Sequence, residues 1–425
     1  LQYPELITLD DYERPAGPTV NQLEDWFQSV RKKFVDRDSE VTVTDDQLSK
    51  ASIESIRSFT TEPDCAFVFQ ALDQAYTQWM DTGSLDDPLR LLVFPPCERS
   101  NRVAKWAERN HIEVLDAPDR SELLSMDMPE VVIPIGDGPL VIPNLEKWFI
   151  RHRRGLRHIR ALLSALQNSS RLCLVSCSSW SWIYLKKSVN ADLVLPAPQS
   201  LAPLDAEFLG NWLLDLLSDD SDQPVVFRDY KDGKKILIRE KDGTMSDNFL
   251  QQLADDSSGI PWIAWQLWRR SLRTEAKIED EDEDEKADKP KDSKDSKDSK
   301  DSKDSKDSKD SKDSKDSKDS KDSEQQSRPD DKETVFWVVR SRQPTLPREH
   351  ERAACLLLQA LLIHGSLPEK MLSAILPSIG ESNLIVAMIR SGFVERHNDE
   401  VRCMAAAYPT IWTSLENSGM TMAPF

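Results

Sequence analysis

Residues 291–323 read Lys-Asp-Ser eleven times. No repeat carries an apolar side chain, and the charges of each cancel. Nothing in this stretch can therefore offset the entropy lost when a chain is ordered. It can belong to no core, and it divides the 425-residue chain into two parts that must bury their own. An unbroken acidic run, 279–285, precedes it. Together these predict a disordered, solvated linker over 275–333. Such a charge run is ordinarily just solvated; service as a lure for a basic partner is the second reading.

Composition narrows the function. Apolar residues make up 39% and charged residues 30%, enough for cores in two or three domains. Lys+Arg 55 against Asp+Glu 74 gives a net charge of −19, which argues against a nucleic-acid coat protein needing a basic footprint. The six Cys form no close-set framework, as in a reducing compartment. No apolar stretch of about 18 residues exists, so no bilayer span is expected. The start, Leu1-Gln2-Tyr3-Pro4, lacks Met, a basic n-region and an apolar h-region, so no signal peptide is expected. The expectation is a soluble, acidic, cytoplasmic protein.

Hydrophobic periodicity supplies the architecture. An N-terminal extension, 1–63, holds an amphipathic helix at 19–36, with Leu23, Trp26, Phe27, Val30 and Phe34 on one face. From 64 to 204, apolar strands alternate with helices. Strands are expected at 89–94, 112–115, 130–134, 139–142 and 171–176; helices at 64–81, 101–110 and 145–167. That alternation predicts an α/β domain with a mostly parallel sheet. Residues 205–274 read as a helical lid around a hairpin at 225–240, turning at Asp232-Gly233. Residues 334–425 give a strand at 335–339, helices at 351–364, 368–376 and 381–391, and a hairpin at 393–404 turning at Asn398-Asp399. A closing helix follows at 409–417. Three helices and a small hairpin is the winged-helix order, a small α+β domain.

Loops that cradle phosphate need Gly for close backbone approach, Lys for the β/γ-phosphates and Ser or Thr for Mg²⁺. The strand at 89–94 leads into Phe94-Pro95-Pro96-Cys97-Glu98-Arg99-Ser100-Asn101 and then a helix. The strand–turn–helix context suits such a loop. The residues do not: Gly and Lys are missing, and Glu98 would repel phosphate. The Gly233-Lys234 pair sits in the hairpin instead.

The order of elements resembles the AAA+/STAND class of P-loop ATPases, in particular the origin-recognition-like branch that ends in a winged helix. The resemblance implies a P-loop-NTPase-like sheet with a helical lid, then a winged-helix domain. It places Walker A at 91–101. Leu140-Val141-Ile142-Pro143-Asn144-Leu145-Glu146 resembles a Walker B strand, with Pro143 and Asn144 where the acids are expected and Glu146 remaining nearby. The strand from Leu172 resembles sensor 1, with Ser176, Ser178 and Ser179 as its polar candidates. Trp262 stands where sensor 2 usually carries Arg, with Arg269 and Arg270 further along. The degenerate nucleotide site implied by this resemblance comprises Pro96, Cys97, Glu98, Arg99, Ser100, Asn101, Glu146 and Ser176. No cofactor is expected there, with ATP as the open alternative.

Other features carry their own readings. The densest basic stretch is 151–160, where Arg153, Arg157 and Arg160 would share a helix face at i, i+4 and i+7. They could meet phosphate, nucleic acid or an acidic protein surface; a solvated face paired with carboxylates is the plainer reading. Trp262, Trp265 and Trp268 form an aromatic stripe, more often core than stacking platform. Cys173 and Cys177 lack zinc spacing. Cys97 is a candidate reactive thiol because Arg99 could lower its pKa, against Glu98 beside it. The last helix before the wing carries one base and one acid and is otherwise apolar, which favours protein binding or packing over DNA reading. These readings point to a non-catalytic regulatory or scaffold protein with a protein partner. Two alternatives stay open: a divergent ATP-binding NTPase, and a nucleic-acid-binding winged-helix protein.

Overall fold

The computed structural model describes residues 4–18, 48–57, 59–60, 63, 65–82, 88–125, 130–217, 224–239, 245, 248–275, 334–340, 343–347, 350–377 and 383–425. The helix expected at 19–36, the acidic run and the Lys-Asp-Ser repeat lie outside these residues.

The chain forms β1 (Leu6–Thr8), β2 (Leu48–Lys50), a short α1 (Ile53–Arg57) and then α2 (Ala66–Thr82). In α2, Phe67, Val68, Ala71, Leu72, Tyr76 and Trp79 recur every three or four residues and are all buried. β3 (Leu89–Phe94) is buried along nearly its whole length, as a parallel strand covered on both faces must be. There follow α3 (Arg102–Arg109), β4 (Glu113–Val114), β5 (Leu140–Ile142), α4 (Arg157–Gln167), β6 (Cys173–Ser178), α5 (Ser179–Val189) and β7 (Gln199–Leu201). These strands form one sheet in the order β1-β7-β3-β6-β5-β4. Neighbours from β7 to β4 are parallel, and β1 closes the edge antiparallel to β7. The α/β class and the mostly parallel sheet expected from the sequence are present, compatible with a P-loop-like domain.

Two expected elements are not. Residues 130–134 join no strand, because the Arg171 side chain holds this loop instead. Its Nη1 donates to the Pro134 carbonyl at 2.8 Å, its Nε to that of Gly138 at 2.7 Å, and its Nη2 to Glu113 Oε2 at 2.7 Å. The long helix expected at 145–167 is broken into a 3-10 turn, Leu145–Lys147, and α4. Gly155 is the reason. A Cβ there would lie 2.5 Å from the Ile150 carbonyl, and the chain turns back on itself through an Ile150 N–H to Gly155 carbonyl bond of 3.0 Å.

The next stretch supplies α6 (Ala206–Asp215), β8 (Val225–Asp229), β9 (Lys235–Ile236), α7 (Asn248–Asp256), α8 (Pro261–Ser271), β10 (Leu272–Glu275) and β11 (Thr334–Val338). Asp205 caps α6 by accepting the Phe208 N–H at 2.7 Å. The hairpin turns at Asp232-Gly233 as expected, with Gly233 at φ +69. A second sheet runs β2-β10-β11-β8-β9. β11, read from the sequence as the first strand of the C-terminal part, is an interior strand here. It lies antiparallel to β10 (Leu272 opposite Val338, Arg273 opposite Trp337) and parallel to β8. Glu275 and Thr334 thus sit on neighbouring strands, although 276–333 separates them in sequence.

The C-terminal module comprises α9 (Glu351–His364), β12 (Ser366–Pro368), α10 (Glu369–Ile375), α11 (Leu384–Arg390), β13 (Val394–His397), β14 (Glu400–Cys403) and α12 (Tyr408–Asn417). Its strands pair antiparallel in the order β12-β14-β13. Asn398 and Asp399 turn the hairpin at φ +48 and +63, the left-handed pair of a type I′ turn. Buried apolar residues from Leu9 to Phe425 make one contiguous cluster, so this module shares its core with the rest of the chain.

Candidate functional site

β3 is flanked by β7 on one side and β6 on the other, so the chain leaves it in opposite directions. In open α/β sheets, ligand crevices lie outside the carboxyl ends of strands at such a switch point. A cavity of about 170 Å³ sits there, at the ends of β3, β5 and β6. Cys97, Glu98, Arg99, Asn101, Glu146 and Ser176 all line it, so these sequence-derived positions are brought together.

The turn after β3 is held in a strained backbone. Cys97 lies at φ +62 and Asn101 at φ +50. Such conformations favour glycine, and this chain uses other residues. Asn101 Oδ1 accepts the Asn144 side-chain amide at 2.6 Å, and Asn144 is itself at φ +56. Trp262, at the start of α8, donates its indole N–H to the Pro96 carbonyl at 2.7 Å.

Glu98 folds over the N-terminus of α3. Its two carboxylate oxygens accept the backbone N–H groups of Ser100 at 2.7 Å and Asn101 at 3.0 Å. It also pairs with Arg102, a buried guanidinium stacked over the Trp262 ring at 5.1 Å. The amides that an anion would use are thus occupied by the chain's own carboxylate.

Glu146 points inward, its Oε2 accepting the Ser178 N–H at 3.2 Å. Burial raises its pKa above the ordinary carboxylate value, opposed by those hydrogen bonds and by Lys147 and Arg120. Ser178 also caps α5, accepting the Ser181 N–H at 3.2 Å. Cys97 is not an activated thiol: burial pushes it up to about 12, and Arg99 offsets only part of that.

The C-terminal module roofs the site. Arg99 Nη2 lies 2.7 Å from Glu395 Oε1 and donates to the Cys403 carbonyl at 3.3 Å. Arg402 meets the same Glu395 oxygen at 2.8 Å. His364 ends α9 inside the cavity wall, its Nε2 accepting the Arg151 N–H at 3.1 Å. His364, Arg102, Lys147 and Arg402 are site residues that the sequence did not single out, whereas Asn144 was read only as the residue standing where a Walker B acid is expected. An i, i+4 Glu98–Arg102 pair at a helix start is a readable signal. Nothing local in the sequence announces His364 or Arg402, because they arrive from a distant module.

The basic stretch divides. Arg157 and Arg160 lie on α4, whereas Arg153 falls in the preceding loop, so the three do not share one helix face. Arg153 and Arg160 are exposed. Trp262, Trp265 and Trp268 are buried in the core.

No protein-family model matches the chain, and no curated protein matches it either. Among the described residues, no group of three or more His, Cys, Asp or Glu could hold a metal ion, and no helix is long and apolar enough to cross a membrane.

Proposed function

We propose that this chain is a non-catalytic regulatory or scaffold protein, built on an AAA+/STAND-like P-loop domain that no longer hydrolyses ATP and carrying a winged-helix module that binds protein. The observation that carries this reading is Glu98. Its carboxylate sits on the Ser100 and Asn101 amides and is anchored by Arg102. A phosphate entering this turn has to displace a fixed negative charge from the same donors. The Glu146 carboxyl supports the reading from the other wall: burial drives it toward the neutral form, whereas a water-activating base works ionised.

The order α9-β12-α10-α11-β13-β14 supports the winged-helix assignment. Protein binding suits it better than DNA binding, since α11 contributes one base, Arg390, and the wing's bases are engaged. Arg396 pairs with Glu369 at 2.5 Å and Arg402 with Glu395. The reading requires no cofactor. Arg153, Arg157 and Arg160 suit an acidic protein surface.

The test is thermal melting during a titration with MgATP. The expected result is an unchanged Tm. A saturable rise in Tm, reproduced by a non-hydrolysable ATP analogue, would overturn the reading in favour of a divergent nucleotide-binding protein.

A further inference from the structure

We propose that a cavity between the second sheet and helices α7 and α8 binds a small primary amine with an apolar body, its ammonium held by the Asp229 carboxylate. This cavity shares no lining residue with the one at the ends of β3, β5 and β6, so its occupancy does not depend on how the nucleotide positions are read.

Asp229 stands at a core-facing strand position. Side chains alternate along β8, so Asp229 shares a face with Phe227. Phe227 is 3% exposed, and its ring lies 5.5 Å from that of Trp268 on α8. Two residues on, Asp229 is half-buried and sits opposite Val338 of β11. Its Oδ1 accepts the Lys231 N–H at 2.7 Å. Its Oδ2 accepts no hydrogen bond from the described residues, and none of their cations forms an ion pair with it. Lys234 pairs with Asp232 instead, at 3.4 Å. Burial pushes the Asp229 pKa above the ordinary carboxylate value, with the Lys231 N–H opposing. A carboxylate drawn out of water in this way is best stabilised by a charged donor.

The rest of the wall is apolar where it matters. Phe249 and Leu253 of α7, Leu267 of α8 and Val338 of β11 line the same space. The other carboxylate of the lining, Asp256, is already satisfied: its Oδ1 accepts the Gln252 side-chain amide at 3.0 Å, and its Oδ2 lies 3.6 Å from Arg340 Nη2. Lys231 and Arg340 also line the cavity and balance the two acids. Selectivity for a cation therefore comes from the open Asp229 oxygen beside apolar side chains, not from net charge. One open oxygen takes one N–H of an ammonium. The bidentate fork of a guanidinium needs both, and the Lys231 N–H holds the other. A metal ion finds too few donors, since no group of three or more His, Cys, Asp or Glu among the described residues could hold one. At about 300 Å³ the cavity lies at the lower bound of the roughly 300–1,000 Å³ of small-molecule pockets, which suits a single ring or a short alkyl chain. A bound amine would touch β8, β11, α7 and α8 together, so occupancy stabilises the fold.

The experiment is calorimetric titration of the full chain near neutral pH with phenethylamine and hexylamine, read alongside the melting temperature. Phenethyl alcohol, which keeps the shape and loses the charge, and phenethylguanidine are the comparison arms. Asp229→Asn keeps an oxygen for the Lys231 N–H and removes the charge; circular dichroism checks its fold. The expected result is saturable binding of at least one amine with a raised Tm, weakened about tenfold in Asp229→Asn, the equivalent of one charge-assisted hydrogen bond. Phenethyl alcohol is expected to bind more weakly than phenethylamine by a similar factor. Neither amine giving a saturable heat or a Tm shift overturns the proposal. So does an alcohol that binds as tightly as the amine, a guanidine that binds more tightly, or an affinity that Asp229→Asn leaves unchanged. The alcohol and guanidine arms use the unaltered chain, so they decide the matter even where Asp229→Asn does not fold.

Discussion

Glu98 shows how a residue's meaning depends on what it meets in space. From the sequence its charge reads as repulsion of phosphate; in the fold it caps α3 and neutralises Arg102. Glu98→Ala leaves Arg102 buried without its counter-ion. The expected loss is about 3 kcal/mol, the low end for breaking a buried pair because the Glu98 side chain keeps 15% exposure. Glu98→Gln retains an acceptor oxygen and is expected to fall between that variant and wild type in urea unfolding. His364 gives a pH test. Burial, with Arg120 and Arg151 close by, pushes its pKa down from 6.5 to about 3, against a backbone bond to Glu146. The unfolded chain therefore takes up a proton as pH falls below 6.5, while the folded chain does so only near 3. Stability is full above 6.5 and declines below it, by up to about 1.4 kcal/mol per pH unit. Glu146, raised by burial, acts in the opposite sense in the carboxylate range. His364→Gln is expected to flatten the melting-temperature profile between pH 6.5 and about 5, where most carboxylates remain ionised.

Elements with strong local patterns were the legible ones. The buried run of β3, the amphipathic α2 and the Asp232-Gly233 hairpin sit where periodicity and turn chemistry put them. Pairing across long separations was not legible. β11 belongs beside β10, and no local pattern reports a partner on the far side of 276–333. The break before α4 depends on Gly155 meeting Ile150, a contact that helical periodicity does not encode. Gly155→Ala is expected to cost about 1–3 kcal/mol in urea unfolding, as overpacking does. The β10–β11 pairing makes a further prediction. Replacing residues 276–333 with a four-residue turn closes the same hairpin through a much shorter loop. Loop-closure entropy favours the short form by about 2 kcal/mol, from (3/2)RT ln of the length ratio. Calorimetry of the shortened chain is expected to show a raised Tm; a chain that no longer folds would contradict the pairing.

At the scale of the whole molecule, the C-terminal module is part of the body rather than an appendage. Trp180 donates its indole N–H to the Tyr408 hydroxyl at 3.0 Å, and Arg120 reaches the His364 carbonyl at 3.1 Å. Arg151 joins Gln359 at 3.1 Å, and the apolar cluster is continuous across the junction. A single cooperative calorimetric transition is expected for the full chain; two resolved transitions would contradict the shared core. That docking places the module over the ends of β3, β5 and β6, the region where a nucleotide would need access. Transition-state charge in phosphoryl transfer needs a Lys on the phosphates, a held Mg²⁺ and an oriented water. Losing one such contact commonly costs about 10²-fold in rate. On the proposed reading these are missing: the turn after β3 has no Gly or Lys, Pro143 and Asn144 follow β5, and the Glu98 carboxylate occupies the Ser100 and Asn101 amides. The most direct measurement is phosphate release by the purified full chain with MgATP. The expected rate is indistinguishable from a protein-free blank; turnover that disappears in Glu146→Gln would contradict the loss of hydrolysis.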